Sequence, residues 1–211
     1  MFTGIVAARG RIEKVESLAG VGNDGAAGLR LTIAAAELGV DDLGIGDSVA
    51  IQGACMTAIA VEGNSFVVEI SAESLSKTVG LDAPGEVNLE KAMRLSDRVG
   101  GHLVTGHVDG LGEVVRFEPV GESWTLEIRV APALARYFAY KGSAGVNGVS
   151  LTVNNVEDRA DGTVFSINLI PHTMAVTTLG TLKVGDRVNL EVDLMARYVE
   201  RMLGQIELPA R

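Results

Sequence analysis

The sequence predicts an all-β protein made of two small barrels in tandem. It repeats itself once, alternates polar and apolar residues with period two, and interrupts that alternation with frequent turn signals. The repeat is direct: Val49 to Thr57 (VAIQGACMT) returns as Gly145 to Thr152 (GVNGVSLT), with Ser150 where Cys55 stood. Thr3-Gly4-Ile5-Val6 returns as Thr105-Gly106-His107-Val108, Thr78 as Thr177, and Val87-Asn88-Leu89-Glu90 as Val188-Asn189-Leu190-Glu191. A repeat of about half the 211-residue chain is too long for a solenoid unit of roughly 20 to 50 residues, so it describes two copies of a whole domain.

In the first copy, Arg11 to Val15, Leu29 to Ile33 and Phe66 to Ile70 read as half-buried strands. Gly112 to Phe117, Thr125 to Val130, Val164 to Leu169 and Arg187 to Val192 do so in the second. Turns are supplied by Asn23-Asp24-Gly25, Glu62-Gly63-Asn64, Asp161-Gly162 and Gly185-Asp186. Short strands at this spacing favour closed barrels or sandwiches, which leave few free sheet edges. Two short segments in each copy read as helical, for example Ala34 to Leu38 and Pro132 to Tyr137, the latter with its proline acceptable in a first turn. The end of the chain differs. Leu194, Tyr198 and Met202, flanked by Met195, Val199 and Leu203, place an apolar stripe on one helical face, and Asp193 precedes it as the N-cap. A helix this short gains little from propensity, so the stripe needs something to pack on, either its own barrel or copies of itself.

Composition narrows the partners. A net charge of −9 opposes binding to phosphate backbones and anionic membranes, so neither nucleic acid nor membrane is expected. Cys55 is the sole cysteine, which rules out an intrachain disulfide and suits a reducing compartment. No stretch approaches the ~20 apolar residues of a membrane span, and the start lacks the basic run of a signal peptide. The expected location is cytoplasmic.

The chemistry-bearing residues cluster in the repeated segments. His102 and His107 flank Leu103-Val104-Thr105-Gly106, and His172 follows Ile170-Pro171. The spacing of the first two is not that of a helical face, and no H-E-x-x-H motif accompanies them, so no metal site is expected. Proton transfer or polarisation of a ligand suits them better, since imidazole titrates near neutral pH, although each could simply satisfy local backbone groups. Cys55 with Thr57, and Ser150 with Thr152, lie two residues apart and so share a strand face. Each pair could wall a heterocycle or merely bond across strands. There is no nucleophile elbow, P-loop or dinucleotide-binding glycine motif. Residue by residue, the reading reaches twin small-ligand pockets.

Several segments carry a family resemblance: Met1-Phe2-Thr3-Gly4-Ile5-Val6, Gly100 to Gly110 (GGHLVTGHVDG), Gly148 to Val153 (GVSLTV), Ile170-Pro171-His172-Thr173, and Asn189 to Asp193 (NLEVD) running on to Arg197-Tyr198-Val199-Glu200-Arg201. Together they resemble the riboflavin synthase family of alpha-chain type, the lumazine-binding double barrels, over essentially the whole chain. The resemblance implies two six-stranded Greek-key barrels, at residues 1–97 and 98–192, with a C-terminal trimerisation helix and tail at 193–211. It implies conversion of two molecules of 6,7-dimethyl-8-ribityllumazine into riboflavin and 5-amino-6-ribitylaminouracil, without cofactor or metal. One lumazine would lose a proton from its 7-methyl group, the other would be activated by addition at C7, and a four-carbon unit would pass between them through a joined adduct. Active sites would lie between barrels of neighbouring subunits in a homotrimer. The resemblance also raises an association with lumazine synthase, which the residues neither require nor exclude.

Carried over by position, the first pocket is expected to use Gly4, Ile5 and Val6 with Cys55, Met56 and Thr57 and with Glu69, Ile70 and Ser71. The second is expected to use His107, Val108 and Asp109, then Lys141, then Ser150, Leu151 and Thr152, then Ile170, Pro171, His172, Thr173 and Met174. His102 or His107 is the expected proton carrier, Cys55 or Ser150 the group that polarises or adds to the acceptor ring, and Lys141 the partner of a carbonyl gaining charge. Two segments depart from the family pattern the resemblance implies. Asn147 stands where Asp is frequent, which speaks against a general base there, since an amide takes up no proton at neutral pH. Gln52-Gly53-Ala54-Cys55-Met56-Thr57 varies a more usual N-G-V-C-L-T, with Met for Leu at similar volume, so the first pocket is expected to keep its shape. The alternative on the same fold is a non-catalytic lumazine or flavin carrier, which needs only one good pocket. An oligonucleotide-binding barrel would need a basic face with exposed aromatics, and a flavin reductase a nicotinamide domain.

Overall fold

The computed structural model describes residues 1–18 and 28–203, so the turn at Asn23-Asp24-Gly25 and the end of the C-terminal tail lie outside the described residues. Strands β1 (Ala8–Ser17), β2 (Leu29–Ala34), β3 (Ser48–Ile51), β4 (Ala54–Glu62), β5 (Ser65–Ile70) and β6 (Gly85–Lys91) close into one barrel. Strands β7 (Gly110–Val120), β8 (Ser123–Val130), β9 (Ser143–Val146), β10 (Val149–Arg159), β11 (Gly162–Leu169) and β12 (Arg187–Val192) close into a second.

The neighbour order β1-β2-β5-β4-β3-β6 is repeated strand for strand in the second barrel, every pairing is antiparallel, and β6 returns beside β3 in a Greek-key path. Matched β-bulges interrupt β1 and β7 and also β4 and β10, supplying the local twist that closure of a small barrel requires. All seven strands read from period-two alternation are present.

Alternation fills each barrel from one face of every strand. Ile12, Leu31, Ile33, Phe66, Val68 and Leu89 are fully buried in the first, and Val114, Leu126, Ile128, Phe165 and Leu190 in the second. Phe165 stacks on Phe138 with ring centroids 4.4 Å apart, within the range where aromatic pairs attract beyond their area. Two short helical segments per copy were expected. The first barrel has a 3-10 turn at Ala36–Leu38 and helix α1 (Ala72–Lys77), and the second has α2 (Pro132–Ala135), α3 (Pro171–Val176) and a further 3-10 turn at Thr178–Thr181. Ser71 caps α1 by accepting the Ser74 N–H at 3.1 Å, and Pro171 opens α3 at its first turn.

Helix α4 (Leu194–Leu203) follows the second barrel, with Asp193 accepting the Met195 N–H at 2.9 Å as the predicted cap. Its apolar stripe is exposed at Met195, Tyr198, Val199, Met202 and Leu203. Of the two ways to cover it, packing on its own barrel is therefore not the one adopted. The opposite side of the helix faces the barrel through polar contacts, Arg197 with Asp109 and Glu200 with Tyr137 and Arg136. No described helix is long and apolar enough to cross a membrane.

The barrels meet across a polar seam at the tips of the β3–β4 and β9–β10 hairpins. Gln52-Gly53 and Asn147-Gly148 both turn through positive φ, at 51° and 87° and at 48° and 81°. They are packed so closely that a Cβ on Gly53 would stand 2.6 Å from the Gly148 nitrogen, so glycine is required by conformation and by space. Asn88 Nδ2 donates to the Asn147 carbonyl at 2.9 Å, and Asn189 Nδ2 donates to the Gln52 carbonyl at 3.0 Å, a matched exchange across the seam.

Candidate functional site

Two antiparallel straps cross between the barrels. The Phe2 N–H donates to the Val104 carbonyl at 2.8 Å and the Val104 N–H returns to Phe2 at 3.0 Å, so the segments around Gly4 and Gly106 run side by side in opposite directions. Each then lies against the barrel to which it does not belong. The Gly4 carbonyl accepts the Ser150 N–H at 2.7 Å, and the Gly106 carbonyl accepts the Cys55 N–H at 2.8 Å. Val6 packs on the core of the second barrel and Val108 on that of the first.

This corrects the expected grouping of site residues. Cys55, Met56, Thr57, Glu69, Ile70 and Ser71 line a cavity of about 520 Å³ with Gly106, His107 and Val108, and not with Gly4, Ile5 and Val6. That volume is ordinary for a small-molecule pocket. Gly4 instead stands at Ser150. Assigning each strap to the barrel that follows it in sequence fails because antiparallel pairing of the straps carries each one past its own barrel before the chain turns back. Ala7 and Asp109 mark the return, donating their N–H groups to Leu89 at 2.9 Å and Leu190 at 2.8 Å.

Alternation places the side chains. On β4, Ala54 and Met56 point into the barrel while Cys55 and Thr57 face outward, as the shared strand face predicts. Met56 is a core residue, 5% exposed, that borders the cavity from the barrel side. On β10, Ser150 and Thr152 lie on the outward face and Val153 is fully buried. Lys141, at positive φ of 63°, donates from Nζ to Asn154 Oδ1 at 3.0 Å, two residues beyond Thr152 on the same strand. Ile170 and the residues of α3, namely Pro171, His172, Thr173 and Met174, follow β11 just as Ser71 and α1 follow β5. His172 is exposed on α3.

The three histidines are dispersed. Among the described residues no group of three or more His, Cys, Asp or Glu side chains converges to hold a metal. His107 is exposed and lines the cavity beside Cys55. His102 instead stands at Ser150, with its Nδ1 2.6 Å from Ser150 Oγ and its Nε2 buried without a hydrogen-bond partner. Burial holds the His102 pKa below the usual imidazole value of 6.5, opposed by the negative charges of Asp193 and Glu191. A neutral imidazole bonded to a hydroxyl can take that hydroxyl's proton or share it, the arrangement a general base requires.

Asp109 does not line the cavity. It forms a fork with Arg197, Nη1 to Oδ1 at 2.8 Å and Nη2 to Oδ2 at 2.8 Å, and accepts the Val192 N–H at 2.8 Å. Burial pushes its pKa up while those partners pull it down. Asn147 lies in the seam, 2% exposed, accepting the Asn189 N–H at 2.8 Å. Its place is structural.

Sequence reasoning missed Gly106, Ser74 and Thr78 as cavity residues. Thr78 was visible as a repeat-matched residue, and Gly106 as the partner of Gly4. Two further residues, Glu90 and Glu191, were visible only as repeated letters. Glu191 accepts from the Thr105 N–H at 2.6 Å, the Thr105 hydroxyl at 2.7 Å, the Gly106 N–H at 2.8 Å and the His107 N–H at 3.1 Å. Glu90 accepts from the Thr3 N–H at 2.6 Å, the Thr3 hydroxyl at 2.7 Å and the Gly4 N–H at 3.0 Å. Burial pushes the Glu90 pKa up, and those bonds counter it.

A duplicated Greek-key barrel in which each half lays a strap on the matching strand of the other, with a cavity beside Cys55, defines the double-barrel class of lumazine-binding proteins. The lumazine binding domain family matches residues 3–92 and again 105–193. A riboflavin synthase of Photobacterium phosphoreum is 42% identical over 205 residues, covering 96% of this chain and 89% of the relative. One of Mycobacterium bovis is 44% identical over 208 residues, covering 96% and 98%. A crystal structure of LumP complexed with 6,7-dimethyl-8-(1'-D-ribityl) lumazine superposes with a TM-score of 0.75 at 25% identity, covering 91% of this chain and 99% of that one. The chain belongs to the riboflavin synthase family.

Proposed function

We propose that the chain is a riboflavin synthase, a transferase that converts two molecules of 6,7-dimethyl-8-ribityllumazine into one riboflavin and one 5-amino-6-ribitylaminouracil. The observation that carries the reading is the preservation of the site-forming residues and elements in both copies. A carrier needs one pocket, whereas here each copy keeps its Cys or Ser with a Thr two residues on, its strap and its following helix. A reaction between two identical molecules needs two such sites. Full-length relatives at 42% and 44% identity support the same conclusion.

The residues divide the work as follows. His102, neutral through burial and bonded to Ser150, is the proton carrier of the second pocket. Ser150 or Cys55 polarises or adds to the acceptor ring, and His107 faces the ligand of the first pocket. Lys141 stands near a carbonyl that gains charge. Aligning two flat heterocycles contributes more than any one side chain, up to roughly 7–11 kcal/mol when the geometry is good. The residues use no cofactor in these roles.

Assembly as a homotrimer through α4, with each active site formed between barrels of neighbouring subunits, is supported by the exposed stripe of Met195, Tyr198, Val199 and Met202. A cytoplasmic location is supported by the single cysteine. Purified protein mixed with the lumazine alone is expected to form riboflavin and the uracil in equal amounts. Tight binding without turnover would replace the enzyme reading with the carrier.

A further inference from the structure

We propose that Glu191 and Glu90 are crossed positioning residues, each standing on the last strand of one barrel and holding the strap that completes the pocket of the other. The inference rests on the twin-pocket reading above and deepens it by naming what sets the roof of each pocket.

The geometry is specific. Glu191 is on β12 in the second barrel, 4% exposed, and both its oxygens are engaged by the Thr105-Gly106-His107 backbone. That strap gives its Gly106 carbonyl to Cys55 of the first barrel and presents His107 to the cavity there. Glu90 is on β6 in the first barrel, 8% exposed, and holds Thr3 and Gly4, whose carbonyl meets Ser150 of the second. Neither carboxylate lines the cavity beside Cys55.

A buried carboxylate is costly unless its lone pairs are filled, and here they are filled by consecutive backbone N–H groups that no neutral side chain could satisfy at both oxygens. Gathering those N–H groups onto one carboxylate goes with the positive φ of Gly4 (72°) and Gly106 (78°). That turn in the chain directs each glycine carbonyl at the neighbouring strand. The approach is close: a Cβ on Gly106 would lie 2.5 Å from the Cys55 Cβ, and one on Gly4 2.5 Å from the Ser150 Cβ. Loosening a carboxylate therefore lifts one strap from one pocket and leaves the other strap in place.

Cys55 is the only cysteine, so the rate at which a soluble aromatic disulfide modifies the whole ligand-free protein reports the first pocket alone. Glu191→Gln keeps the shape but turns an amide NH₂ toward backbone donors. Losing charge-assisted bonds of this kind is expected to speed modification of Cys55 about tenfold, while Glu90→Gln stays within about twofold of the parent. Both variants lose thermal stability, so stability does not discriminate, whereas the crossed selectivity does. Thr105→Val, which deletes its hydroxyl bond to Glu191, and Thr3→Val, which deletes its hydroxyl bond to Glu90 and a longer one accepted from the Ile5 N–H at 3.2 Å, form a milder pair and carry the test if a glutamine variant fails to fold. Equal acceleration by both members of a pair, or acceleration by the first-barrel member alone, overturns the proposal. Because no substrate is present, that outcome is separate from failure of the riboflavin synthase reading, which turns on product formation.

Discussion

The two pockets share a template and differ at its joints. Strand order, bulges, hairpin turns, straps and carboxylates are matched between the barrels. Two features are not. His102 reaches Ser150 from the segment between β6 and the second strap, and among the described residues no histidine hydrogen-bonds Cys55. The Arg197–Asp109 fork ties only the second strap to a following helix, with Arg197 also donating to the His107 carbonyl at 3.1 Å. Duplication supplied equivalent frames, and His102 and the Arg197–Asp109 fork make them unequal. For a reaction in which two identical molecules must play different parts, that is where asymmetry is needed.

The comparison is broken hardest by removing His102. His102→Ala and Ser150→Ala are each expected to lower turnover about 10²- to 10⁴-fold, the usual range for a positioned proton carrier, without changing the rate of Cys55 modification. Turnover within twofold of the parent, in a variant with intact assembly, would remove both from the mechanism. The pH dependence follows from the same group. The folded His102 pKa lies below the ordinary 6.5, so the unfolded state binds more protons just below that pH, and the stability His102 confers is whole above 6.5 and lost as pH falls through it. The urea midpoint is therefore expected to drop from about pH 7 to about pH 5, and to drop less in His102→Gln.

A smaller and more symmetrical effect is expected from Gly106→Ala and Gly4→Ala. Each places a methyl against the opposite barrel at positive φ, at a cost of roughly 1–3 kcal/mol for the backbone before any steric shift. Thermal melts should show similar losses, while only Gly106→Ala alters Cys55 modification. Arg197→Ala sharpens the asymmetry instead. With Asp109 only partly accessible and Arg197 more so, the fork is worth about 1 kcal/mol, and its loss should raise KM several-fold with little change in kcat. An unchanged KM would confine the fork to holding the helix.

The sequence made the barrels legible because alternation is a local signal. Thr125 to Val130 and Arg187 to Val192 needed nothing beyond themselves to be read as strands. The repeat made the two pockets legible for the same reason, since Cys55 and Ser150 pair through the matching residues on either side of them. The crossing of the straps was not legible, since Gly4 lies nearer in sequence to Cys55 than to Ser150 and only the pairing of Phe2 with Val104 reverses the assignment. The role of Glu90 and Glu191 was hidden likewise, because N-L-E reads as ordinary strand alternation. The pairing of Asp109 with Arg197 was hidden as well, because Arg197 comes from the terminal helix, a contact no spacing rule predicts.

The smallest effect on turnover is expected at Asn147. As a base it would have to face the ligand, but its Oδ1 accepts the Asn189 N–H, its own N–H donates to the Asn189 carbonyl at 2.8 Å, and its carbonyl is bonded by Asn88. An aspartate keeps the accepting oxygen and adds charge at a site 2% exposed, between two closely packed hairpin turns. Asn147→Asp should therefore leave turnover within about twofold while lowering the urea midpoint by the equivalent of roughly 1–3 kcal/mol. A large gain in turnover, with a new ionisation in the pH profile, would instead place this residue in the chemistry and would mean that the seam between the barrels opens onto the ligand.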